Sequence, residues 1–297
     1  MRPSQAANQT SFLLVHTTLD RHHAGPAFWR ESVMTTLATA PVLFVSHGAP
    51  TFALEPGQLG PQLHALGATL KGITAVLVIS PHWQSRDVRV MSTAQPETMH
   101  DFGGFPEALY LLRYPAAGAP DMARAAASLL RAAGFAVSLD DQRGLDHGAW
   151  VPLYHMLPDA CIPVFQVSMP VNLNESQAFA LGRALAPLRR QGVLILGSGS
   201  MTHNLSEFRG SDNTPAPYVQ EFAAWVHKLI THNDAAQLLE YRTRAPHAVR
   251  AHPTDEHFLP LLVALGASTA DDAVEVLDGG ITHGMLSMAS YFWRPVN

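Results

Sequence analysis

From Pro41 onward the chain alternates short, β-branched apolar runs with longer amphipathic stretches, and few architectures accept that order. Short apolar runs without strict polar alternation suit strands buried on both faces, and the stretches between them suit helices that cover those faces. The expectation is an α/β fold: a single domain with a central, mostly parallel or mixed sheet flanked by helices on both faces. Strands are expected over residues 42–46, 75–80, 88–91, 136–139, 162–168, 193–197 and 273–277, and helices over 60–70, 121–133, 175–190, 218–231 and 256–265.

Residues 1–40 carry neither helical nor strand periodicity, so they read as an N-terminal extension, expected to be flexible, before a domain over 41–297. Met34 opens a segment that runs straight into the first strand, and residues 1–33 are expected to be dispensable. A chain that starts at Met34 should keep its melting temperature, and loss of soluble protein would show that the segment packs on the core. The whole chain of 297 residues suits one domain of about 200–250 residues plus an extension.

Composition removes several function classes. Hydrophobic residues make up 47% and charged ones 14%, the profile of a compact chain rather than a disordered one. Net charge is −5 with no Lys/Arg-rich run, so no nucleic acid partner is expected. No apolar run reaches the roughly 18 residues of a membrane span. Near the N-terminus the apolar residues up to Leu14 are soon followed by Thr17, Asp20, Arg21, His22 and His23, unlike a secretory leader. A single cysteine, Cys161, cannot form an internal disulfide. It is expected to pack in a strand, and the location is expected to be cytoplasmic, without membrane association. Nothing in the pattern sets the oligomeric state.

The unusual count is 16 histidines against 19 Lys and Arg together. Imidazole is both a metal ligand and an acid/base group near neutral pH, and here position gives the count meaning. His47 follows the first strand run, His82 the second, and His203 lies a few residues beyond the run over 193–197. Ligands bind at the carboxyl ends of strands in open α/β sheets, so neighbouring strands would bring these rings into one crevice.

Gly48 is suited to a sharp turn after His47. Pro81 is expected to end the second strand at His82, and Gly197 and Gly199 to loosen the strand end before His203. His257 sits in His-Pro-Thr-Asp-Glu-His at 252–257, where Thr254 is a candidate N-cap. His257 would then be a ligand on a rigid helix start, or only a partner of the capping residues. Two Gly-bearing loops, 93–120 and 140–150, are long enough to be functional. Gly197-Ser198-Gly199-Ser200 fails the register of a serine nucleophile turn, and one cysteine excludes a Cys-type zinc site. Spacing does not choose between Fe and Zn.

Six motifs together resemble a known family: Ser-His-Gly-Ala-Pro at 46–50, Ser-Pro-His-Trp at 80–83, His-Asp-Phe-Gly-Gly-Phe-Pro at 100–106, Asp-His-Gly-Ala-Trp at 146–150, Thr-His-Asn-Leu at 202–205 and His-Pro-Thr-Asp-Glu-His-Phe-Leu-Pro-Leu at 252–261. In order and spacing they are similar to the class III extradiol dioxygenases, in the 4,5-DOPA dioxygenase-like branch. The resemblance implies a non-haem Fe(II) enzyme that opens the ring of a small aromatic diol, DOPA-like or caffeate-like, with O2.

It also implies metal ligation by His47, His82 and His257, with His203 a fourth ligand or the acid/base residue. His147 and His100 would line the substrate pocket, with His147 second choice to His203 for proton transfer. Glu256 keeps a carboxylate ligand open. Zinc follows Fe(II) in affinity order and is expected as a stand-in in a purified sample, inactive toward O2. The alternative is a metal-binding or interaction protein without catalysis on the same fold.

Overall fold

The computed structural model describes residues 38–296, so most of the expected N-terminal extension lies outside the described residues. The strands are β1 (Val42–Ser46), β2 (Ala75–Ser85), β3 (Val88–Met91), β4 (Val137–Asp140), β5 (Val164–Pro170), β6 (Val193–Gly199), β7 (Ala273–Leu277), β8 (Ile281–Thr282), β9 (Leu286–Ser287) and β10 (Ser290–Arg294). All but β8 and β9 join one mixed sheet in the order β4-β3-β5-β2-β6-β1-β10-β7. Its centre is parallel, with β6 between β2 and β1 and β5 beyond β2, while β10 runs antiparallel to β1 and β7. β1 and β6 are buried along their whole length, as apolar runs covered on both faces require.

The longer helices are α1 (Leu59–Thr69), α2 (Pro120–Ala132), α3 (His147–Met156), α4 (Glu175–Leu185), α5 (Pro217–Thr231) and α6 (Leu259–Ala267). α6 and α4 pack together, with α6 against β6, while α1 and α3 pack together with α3 on β2. Every residue of α6 is buried, as expected of a helix that is apolar all round. It approaches its neighbours backbone to backbone. A Cβ on Gly182 would lie 2.0 Å from the Val263 carbonyl oxygen, one on Gly266 2.1 Å from that of Phe179, and one on Gly197 2.2 Å from that of Pro260. No helix among the described residues is long and apolar enough to cross a membrane.

Several sequence expectations change in detail. The helix expected over 175–190 stops at Leu185 and continues as a tighter turn over Ala186–Gln191, because Pro187 offers no N–H to an α-helical ladder. Residues 147–150, read as part of a loop, open α3, with Asp146 as N-cap accepting the Ala149 N–H. The strand Ser290–Arg294 was not expected. Cys161 is exposed and lies before β5 rather than in it, its thiol donating to the Asp159 carbonyl at 3.3 Å.

One buried ion pair joins segments distant in sequence. Arg189 makes two hydrogen bonds to Asp272, at 2.8 and 2.9 Å, and donates to the carbonyls of Ala40 and Ala267. Arg189→Met strands the Asp272 charge and is expected to cost about 3–5 kcal/mol of unfolding free energy, read from denaturant midpoints. A cost within about 1 kcal/mol, typical of an exposed pair, would refute this account.

Candidate metal centre

The parallel centre of the sheet brings the histidine-bearing strand ends together. His47 follows β1 and its N–H donates to the Gly199 carbonyl at the end of β6, at 2.9 Å. Gly48 turns the chain with φ +63°, a conformation that favours glycine. Pro81 does not end β2 as expected. The β2–β5 register shifts between Ile79 and Gln84 and pairing then resumes, so the missing N–H is absorbed by an irregularity that carries His82.

Thr254 is not an N-cap. Residues 254–258 form a turn, with the Phe258 N–H donating to Asp255 at 2.9 Å, and Pro260 near the first helical position sets the start of α6 at Leu259. His257 is therefore mounted on the turn that leads into α6. Nor is His203 loosely held. Its N–H donates to Ala251 at 2.8 Å, that of Ser200 to His257 at 2.9 Å, and the buried His252 ring to the Met201 carbonyl at 2.9 Å. Gly199 is buried in β6, where a Cβ would meet the His257 carbonyl at 2.3 Å. These glycines permit close packing instead of loosening the strand end.

The rings of His47, His82 and His257 form a nearly equilateral triangle, with centroids 5.1, 5.2 and 5.7 Å apart. His47 Nε2 and His82 Nε2 are 3.2 Å apart. His203 stacks face to face on His257 at 3.5 Å and 7°, and His147 lies 3.9 Å from His82. Two groups have donor atoms close enough to hold an ion: His47, His82 and His147, and His203, Glu256 and His257.

Hydrogen bonds on the far side of two rings assign their tautomers. The single hydroxyl hydrogen of Ser198 is given to the Gly148 carbonyl, so Ser198 Oγ accepts from His47 Nδ1 at 2.9 Å. Nε2 of His47 is then unprotonated and presents its lone pair toward His82 Nε2 at 3.2 Å. His257 Nδ1 faces the Glu256 carboxylate at 3.2 Å, which leaves its Nε2 free in the same way. Outer partners of this kind orient metal-binding imidazoles.

The two Gly-bearing loops are joined by backbone bonds from Met99 to Leu145 and from Leu145 to Glu97, both at 2.8 Å. That pairing sets Asp101 against His147. Its carboxylate accepts the His147 backbone N–H at 2.9 Å and lies 3.1 Å from ring Nδ1, off the line of a formed hydrogen bond. Burial alone would raise the Asp101 carboxyl, but the His147 contacts hold it down to about 2. His100 turns away, bonding the Leu112 carbonyl at 3.1 Å, while Phe102 takes the place beside His147.

Burial, reinforced by neighbouring imidazoles, keeps His47 and His257 well below the usual histidine range. Burial also lowers His82 to about 4, helped by His147, lowers His203 against the opposing pull of Glu256, and takes His252 to about 3. Neutral imidazoles hold free lone pairs for a metal at neutral pH. These folded values lie below the unfolded value near 6.5, so the unfolded chain binds more protons in between, and stability falls as pH drops below about 6.5. The metal-free protein is expected to lose melting temperature between about pH 6.5 and 5, a window above the carboxylate range. A flat profile there would contradict the neutral cluster.

His47, His82, His147, His203, His257 and His283 line one cavity of about 490 Å³, walled further by Phe102, Phe105, Leu205, Phe208 and Leu286. Sequence reasoning missed three contributors. Ser198 stood in the Gly-Ser stretch dismissed as a nucleophile turn. Asp101 stood beside His100 in a quoted motif, where a carboxylate next to a histidine was the available signal. Phe208 lay in a segment with no pattern.

Residues 61–293 match the family model for the catalytic LigB subunit of aromatic ring-opening dioxygenase. The chain is 39% identical over 254 residues to a 4,5-DOPA dioxygenase extradiol from Beta vulgaris, covering 84% of this chain and 94% of that protein. It is 36% identical over 265 residues to one from Escherichia coli K12, covering 88% and 97%. A crystal structure of an uncharacterized Escherichia coli K12 protein superposes with a TM-score of 0.70 at 31% identity, over 85% of this chain and 99% of the other. On fold, site and these matches, the chain belongs to the class III extradiol dioxygenases, in the LigB, 4,5-DOPA dioxygenase-like family.

Proposed function

We propose that this chain is a non-haem Fe(II)-dependent dioxygenase that opens a catechol ring with O2, its metal held by His47, His82 and His257. The carrying observation is the triangle of those three rings at the base of the cavity. The His47 and His82 donors fit an ion, with His147 offering a donor in the same group and His257 one beside His203 and Glu256. Two imidazole nitrogens each about 2.1 Å from one metal, at 90–109°, stand about 3.0–3.4 Å apart, and the His47 and His82 Nε2 atoms are 3.2 Å apart. Imidazole sites with open positions suit Fe(II) among other ions.

Imidazole lone pairs lie in the ring plane. Two rings stacked at 3.5 Å and 7° aim them along parallel planes, although the donor atoms of His203, Glu256 and His257 lie close enough together to hold an ion. The stack favours proton transfer for His203, with ligation the other reading. Iron held by His47, His82 and His257 would supply the electron route from catechol to O2. His203, neutral at pH 7, takes a phenolic proton and returns it to a reacting oxygen. His147, with Asp101 behind Nδ1 and Phe102 beside its ring, is the second choice for that role. Consumption of O2 in equal amount to catechol by anaerobically reconstituted protein tests the reading. No uptake by fully iron-loaded protein with any catechol would overturn it.

A further inference from the structure

The stretch of β2 that carries His82 has backbone groups outside the ladder, since the β2–β5 register shifts between Ile79 and Gln84. Buried backbone groups need partners, and the His82 carbonyl takes its partner from another segment. Arg143, 61 positions further along, donates to it from one guanidinium nitrogen at 3.2 Å. The same nitrogen donates to the Asp146 carboxylate at 3.0 Å. Arg143 therefore joins the backbone under His82 to the residue that caps α3 and precedes His147.

Both ends of this clamp are fixed. Asp146 and Gln166 are fully buried and pair twice. Gln166 Nε2 donates to the Asp146 carboxylate at 2.8 Å, and the Asp146 N–H donates to Gln166 Oε1 at 3.2 Å. Gln166 lies within β5, so the carboxylate is tied to the parallel centre of the sheet. The guanidinium lies over the Trp83 ring, 5.1 Å from its centroid, and its Nε is buried without a partner. An unpaired buried donor costs free energy, so the group sits where its two acceptors hold it rather than where its own hydrogen bonding would be complete. The first turn of α3 also presses on the same imidazole. A Cβ on Gly148 would lie 2.3 Å from Ser80 Oγ and 3.0 Å from His82 Cδ2.

We propose that Arg143 is a positioning residue for the metal: by clamping the irregular stretch of β2 to the cap of α3, it fixes the aim of His82. The proposal rests on His82 as a ligand, and the test separates the two. Co(II), whose visible absorption reports ligand geometry, is titrated into the metal-free full chain to give a dissociation constant and a spectrum. Arg143→Met is expected to weaken Co(II) binding at least about tenfold, within the interval for loss of a partner that orients a ligand, and to alter the spectrum. Arg143→Lys keeps a cation beside Asp146 without the planar fork, and is expected to weaken binding in the same direction by a smaller factor. Leu130→Ala removes volume from the buried face of α2, which packs on β3 and β4. It is expected to lower the melting temperature while keeping the parent constant and spectrum.

A parent-like constant and spectrum in Arg143→Met, or in Arg143→Lys where the methionine variant does not fold, overturns the proposal. So does an equal loss of affinity in Leu130→Ala, which would make the effect one of general stability. If His82→Ala binds Co(II) as the parent does, the ligand reading falls and takes the proposal with it.

Discussion

His47→Ala protein, reconstituted with Fe(II) under anaerobic conditions, is expected to hold essentially no metal, where the parent holds one ion per chain. His82→Ala is expected to behave alike. The His47 and His82 Nε2 atoms stand at the separation of co-ligands, and the His47 lone pair is freed by its Nδ1–H bond to Ser198. Loss of an outer partner alone typically costs about 10–100-fold in metal affinity. Ser198→Ala should fall in that interval, and loss of the ligand itself should exceed about 100-fold. Metal analysis after equilibrium dialysis measures all three. Full occupancy in both histidine variants would sink the ligand assignment.

His203→Ala is expected to keep its iron and still bind catechol, yet turn over at least about 10²-fold more slowly, the lower end of acid/base contributions. The face-to-face stack on His257 motivates this expectation, since the lone pairs of the two rings run along parallel planes and the triangle of His47, His82 and His257 does not include His203. Iron titration and single-turnover O2 consumption on one sample separate the roles. A variant unable to hold iron would make His203 a ligand and pass the acid/base role to His147. Normal turnover with full iron would remove His203 from the chemistry.

What could be read from sequence was whatever a local pattern encodes. An apolar strand run followed directly by histidine located His47, and the strand order then placed it beside His82. Contacts between distant segments left no such trace. Ser198 reaches His47 across 151 positions, and Asp101 reaches His147 across 46 only because the two loops pair. Local rules also misled where a buried neighbour decided the outcome. Thr254 has the chemistry of a cap, yet Pro260 and the apolar run behind it set the helix start. The glycines of β6 look like flexibility in sequence, whereas in the fold they are clearance for a helix. Pro81 reads as a strand end, and the sheet instead steps over it.

The contact of α6 with Gly182, Gly197 and the backbone at Phe179 has a consequence for engineering this protein. With peptide against peptide there is no intervening side chain to yield, so added volume there is transmitted rather than absorbed. The helix behaves as a dowel seated in the sheet, and the turn holding His257 is fixed to its end. Thermal robustness and accuracy of the imidazole triangle are therefore one trait. Libraries that repack the core for stability and libraries that retune the metal would draw on the same few ångströms of clearance, and should be screened together.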